Sequence, residues 1–186
     1  MVEDYLGLLS SQVTVDIINA IETIRDTEKR DICRIRDLTH EIYGEENLES
    51  HKTQIENRVP KLEDILVEDY DLRSGHIILK EDPELQRLQE IDVLTPEKAK
   101  LLRYEDRREI LGYLGEKGEV RKNELVDQFA EEERKYHIKL THHYLPQFKD
   151  HGVIEEKPGD MLSYQGGEEL LKTLEEVEEI YHNAEE

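Results

Sequence analysis

The chain has 186 residues, room for one domain or two compact ones, and its 46 acidic against 25 basic side chains give a formal charge of −21. That excess argues against a role resting on a uniformly basic surface, although whole-surface acidity also arises as an adaptation to high salt, where it does not report on the partner. The opening MVEDYLGLL has no basic n-region, no apolar run approaches a membrane span, and the single cysteine, Cys33, excludes an internal disulfide, so a soluble protein of the reducing cytoplasm is expected.

Val13, Ile17, Ile18, Ile21 and Ile24 recur at helical spacing and predict a first helix over 4–25. After the charged loop DTEKRD, a second helix carries Ile35, Leu38, Ile42 and Tyr43 and stops at Gly44. A third helix is expected over 47–64, with Asn47 as its cap and Leu48, Ile55, Val59 and Leu62 inward. Pro60 falls inside it and should bend or end it. Leu66, Val67 and Tyr70 pair with Ile77, Ile78 and Leu79 across DLRSG as a hairpin.

Asp82-Pro83 and Thr95-Pro96 are cap-then-proline helix starts within the connection that follows. Beyond it the plan repeats. Ile110, Leu111 and Leu114 mark one helix, Leu125, Val126 and Phe129 a second, and Ile138, Tyr144 (or Leu140), Leu145 and Phe148 a third. Val153 and Ile154 then face Met161, Leu162 and Tyr164 across the turn Lys157-Pro158-Gly159-Asp160. After Gly166-Gly167 a last helix aligns Leu170, Leu174, Val177 and Tyr181 in a seam, which suits another helix of the same subunit as well as a second copy.

The repetition is visible in the letters. NRVPKLEDILVE at 57–68 aligns without a gap on HYLPQFKDHGVI at 143–154, 86 positions later, with Pro60 on Pro146, Asp64 on Asp150 and Val67 on Val153. Helix, helix, hairpin is the layout of a winged helix, so the expected fold class is mainly α with small β-hairpin wings, in a tandem winged helix-turn-helix. Its parts are an N-terminal unit over 1–91, a linker and helix start over 92–103, a C-terminal unit over 104–167 and an acidic C-terminal helix over 168–186.

The third helix of such a unit enters the major groove, where amides pair with adenine and Arg or Lys with guanine or phosphate. In the first unit the candidates are His51, Lys52, Gln54, Asn57 and Arg58, with Arg73 on the wing. In the second they are Arg134, Lys135, His137, Lys139, Thr141 and His142, from a ten-residue window without an acidic residue, with Lys157 on the wing. His137 and His142 are five apart, which is not the spacing that puts two metal ligands on one helix face, so no metal site and no cofactor are expected. There is no glycine-rich phosphate loop, nucleophile elbow or HExxH, and a non-enzyme is expected.

RREILGYL at 107–114, ELVDQFA at 124–130 and THHYLPQFKDHGVIE at 141–155 together resemble the winged-helix domains of archaeal, especially halophilic archaeal, regulators. His142, Leu145, Pro146, Phe148, Gly152, Val153 and Ile154 match the turn into the wing position by position. In the first half Ile65 and Leu66 replace the His-Gly pair. The resemblance implies a regulator of transcription that binds double-stranded DNA. Small cores and the C-terminal seam point to a homodimer. The alternative is an acidic tandem winged-helix scaffold whose helices bind protein partners in a chromosome-organising or transcription complex.

Overall fold

The computed structural model describes residues 2–28, 33–44, 48–62, 67–71, 76–79, 82–129 and 134–184. They form two compact units, residues 3–86 and 87–186. Among the described residues helix dominates, accompanied by two antiparallel sheets of three strands, and no helix is long and apolar enough to cross a membrane.

In the first unit the expected single helix is two, α1 (Val2–Leu9) and α2 (Gln12–Glu28). The serines between them redirect the backbone bonds. Ser10 Oγ donates to the Gly7 carbonyl at 2.6 Å, and the amides of Thr14 and Val15 both donate to the Ser11 carbonyl, which starts the second helix. The two-residue strand β1 (Cys33–Arg34) follows, too short to leave a periodic signal, and leads into α3 (Ile35–Tyr43). Gly44, at φ 71, ends α3 where a side chain would be strained. Next come α4 (Leu48–Arg58), a 3₁₀ turn (Val59–Lys61), β2 (Val67–Asp71) and β3 (His76–Leu79), in the sheet order β1-β3-β2. Pro60 therefore ends the third helix. Leu38, Ile55, Val59, Leu62 and Ile77 fill the core beneath it.

The segment expected to be a linker belongs to the second unit. After α5 (Pro83–Gln89), which spans the boundary, α6 (Pro96–Leu102) is capped by Thr95, whose hydroxyl accepts from the Lys98 amide, and it buries Ala99, Leu101 and Leu102. Two buried arginines of α7 (Glu105–Lys117) hold its C-terminal end. Arg107 donates to the Lys100 carbonyl at 2.8 Å, while Arg108 donates to the carbonyls of Leu102 and Arg103 and to Glu178. Helix C-termini leave unpaired carbonyls, and guanidinium forks supply the missing donors.

Strand β4 (Glu119–Arg121), α8 (Lys122–Phe129) and α9 (Arg134–Lys139) follow, and α9 runs through a π turn (Leu140–Tyr144) into α10 (Leu145–Asp150). The π turn has an identifiable cause. Pro146 has no amide to offer the His142 carbonyl and its ring would press on it, so the helix widens just before it and the Leu145 amide reaches back to Leu140. The hairpin β5 (Ile154–Lys157) and β6 (Met161–Tyr164) completes a sheet of order β4-β6-β5, and α11 (Gly167–Ala184) closes the unit. Both units thus run helix, strand, helix, helix, hairpin. Pro60 and Pro146 precede the hairpin at matching places.

The widened turn also rotates the start of the third helix. Leu140, Tyr144, Leu145 and Phe148 are buried, whereas Ile138, expected in the core, is 45% exposed. Val126 and Phe129 are half-buried rather than core. The α11 seam is covered within its own unit: Leu170, Leu174, Val177 and Ile180 are buried, and α11 packs on α7 and α6. Ile180 takes the fourth inward place expected of Tyr181, whose ring lies 4.7 Å from the Arg108 guanidinium carbon. A second copy is not needed to cover this seam.

Candidate nucleic-acid interface

The second unit has a groove of about 820 Å³ between its third helix and its hairpin turn. Arg121 and Lys122, where β4 passes into α8, form one wall with Asn123; His137, Thr141 and His142 form the other; Gly159 and Asp160 of the hairpin turn close one end. The walls are tied together. The Lys122 amide donates to the Asp160 carbonyl at 2.9 Å, and Asp160 takes a φ of 56, a left-handed conformation that Asp tolerates better than most residues. Arg121, His137 and His142 are exposed. Asp127 and Asp160 bring negative charge to the same groove. Guanidinium, amide, hydroxyl and imidazole groups on one concave surface can bond both phosphate oxygens and base edges.

Lys139 points elsewhere. Its amine donates to Asp106 Oδ2 at 2.7 Å and lies over the rings of Tyr144 and Tyr136. Tyr144 donates to the same carboxylate oxygen at 3.1 Å. Burial works to raise the Asp106 pKa, but the hydrogen bond and charge of Lys139, a backbone hydrogen bond and the Tyr144 hydroxyl together outweigh it, and the carboxyl sits below its ordinary range. The Asp106 hydrogen bond in turn raises the Lys139 pKa. Lys139, expected as a phosphate contact, thus carries an ion pair with a carboxylate of α7.

Lys157 on the hairpin is paired too: its amine meets Glu119 at 2.5 Å across the sheet, and its pKa is raised by that bond. Lys149 and Lys122 lie 3.1 and 3.9 Å from Glu156, whose pKa the Lys149 hydrogen bond lowers. Thr141 spends its hydroxyl proton on the His137 carbonyl at 2.7 Å, leaving the oxygen as an acceptor. Arg134 and Lys135 open α9, but their side chains lie outside the described residues, as does Arg73.

In the first unit the candidates divide. Gln54 and Asn57 are exposed on α4. His51 stacks on Tyr43 with ring centroids 3.9 Å apart, and its buried Nδ1 finds no hydrogen-bond partner among the described residues. Arg58 donates through Nε to the buried hydroxyl of Thr14, so it anchors α4 to α2. Lys52 pairs with Glu56 one turn along the helix. His51 and Arg58 thus take part in packing and Lys52 in an ion pair, while Gln54 and Asn57 face outward.

Sequence reasoning missed Arg121, Lys122 and Asn123, because β4, which ends at Arg121 and leads straight into α8, has only three residues, too few to leave a periodic signal. The signal available was their place at the start of the helix that carries Leu125, Val126 and Phe129. Among the described residues no three His, Cys, Asp or Glu side chains gather as a metal site. No family model, curated protein or solved structure matches the chain.

Proposed function

We propose that the protein is a tandem winged-helix regulator that binds double-stranded DNA chiefly through its second unit. One observation carries the reading: the groove in which Arg121, Asn123, His137, Thr141 and His142 converge between the third helix and the hairpin turn, where a winged helix meets a duplex. The repeated element order and the resemblance of residues 102–154 to archaeal winged-helix regulators support it. Binding should be tested by fluorescence anisotropy with duplex DNA, comparing the wild type with Arg121→Glu and His142→Ala. Each variant is expected to keep its fold and to lose about tenfold in affinity. Undiminished binding by both would clear the groove of this role.

A second reading has an observation of its own. Lys52, Lys139, Lys149 and Lys157 each face a carboxylate within 4 Å, so phosphates would have to displace ion pairs to reach them. A tandem winged-helix scaffold for protein partners fits that surface. Failure of the wild type to bind any duplex at low salt would put this reading first.

A further inference from the structure

Ile138 is the exposed large hydrophobic residue among the described ones, at 45%. An isolated exposed isoleucine is ordinary on a protein surface, so exposure alone says nothing. Its neighbours say more. It lies next to His137 and one turn before Thr141 and His142, all three of which line the groove. Residues three and four apart share a helix face, so Ile138 stands beside the polar groups that the groove presents.

The tie between Lys139 and Asp106 gives that face its character. With the Lys139 amine drawn back to α7, the described side chains left there are an apolar group, a hydroxyl oxygen and an imidazole. A hydroxyl oxygen and an imidazole beside an apolar group are suited to base edges. The apolar feature that a base pair offers in the major groove is the thymine C5 methyl.

We infer that Ile138 reads thymine by covering its methyl group, with Thr141 and His142 beside it facing polar base edges. The inference rests on the DNA-binding reading given above. It adds a specificity residue and a base preference to it.

The test starts from a randomised pool of short duplexes, from which the wild-type protein enriches its preferred sequences. These are then resynthesised with deoxyuridine in place of thymine, which removes the methyl and keeps the pairing. Wild type should bind the thymine form about fourfold more tightly for each methyl covered, the value of one buried carbon. Ile138→Ala should bind both forms alike, at the level of wild type on deoxyuridine, and Ile138→Val should keep most of the discrimination. Equal binding of both forms by wild type overturns the inference while leaving the DNA reading intact. So does discrimination that persists in Ile138→Ala, since it would come from DNA shape. No enrichment from the pool removes the DNA reading itself, and the inference with it.

Discussion

Lys139 of the third helix and Asp106 of α7 meet at 2.7 Å, and the carboxylate that neutralises the lysine also receives the Tyr144 hydroxyl. A cation that reads in sequence as part of a DNA-facing window is thereby converted into a strut between two helices of one unit. A pair this exposed is worth about 0.2–1 kcal/mol. Lys139→Glu would place two carboxylates together and should lower the denaturation midpoint of the second unit more than Lys139→Ala does. A double-mutant cycle with Asp106→Asn should return a favourable coupling of that size. Zero coupling would show the contact to be energetically idle.

The same pair makes stability depend on pH in a definite direction. Asp106 holds a lowered pKa, so its contribution is present above the unfolded-state value and is lost as pH falls through the folded one. Lys139 holds a raised pKa, so its contribution is present below the ordinary lysine value and is lost as pH rises through the raised one. Urea titrations across the acid range should show a shallower loss of stability in Asp106→Asn than in the wild type. Parallel curves would refute the assignment.

Arg108 should be costly to remove. It is 1% exposed and holds the end of α6 to α7 through two carbonyls and to α11 through Glu178. Arg108→Ala leaves those carbonyls and a carboxylate without their donor, and a loss of about 3–5 kcal/mol is expected. Arg108→Lys should recover little, because one ammonium cannot reproduce the fork. Calorimetry of the full chain reads both, and near-normal stability in either variant would contradict this account.

Two glycines of α7 should respond in opposite directions. A Cβ at Gly112 would meet Leu174 at 3.5 Å, an ordinary contact, so Gly112→Ala should stabilise by up to about 1 kcal/mol through helix propensity. A Cβ at Gly115 would fall 2.3 Å from Leu171, and overpacking of about 1–3 kcal/mol should outweigh the same gain. Adding Leu171→Ala to Gly115→Ala should recover part of the loss. Stabilisation by Gly115→Ala alone would mean that Leu171 moves aside freely.

Because the α11 seam is covered inside its own unit, Leu174→Asp should unfold the second unit rather than separate subunits. Light scattering and denaturation report the two outcomes separately. A fall from dimer to monomer mass with an unchanged midpoint would restore the seam to an interface between copies.

Much of the path of the chain was legible in its letters, because helices and hairpins that bury one face must repeat apolar residues at fixed spacing. The alignment of Pro60 on Pro146 anticipated two units with one element order, and Gly44 and the Lys157–Asp160 turn ended elements where expected. Short strands and side-chain partners were not legible. β1 and β4 exist only because β3 and β6 pair with them, and no local pattern announces a partner 40 or more residues away. The same holds for the candidate site. Sequence placed cations on the third helices, but whether a lysine faces solvent or a carboxylate is decided by what packs beside it: Asp106 took Lys139, Glu119 took Lys157, and Thr14 took Arg58. Ile138 went outward because the π turn before Pro146 shifts the helical register, which a count of 3.6 residues per turn does not anticipate.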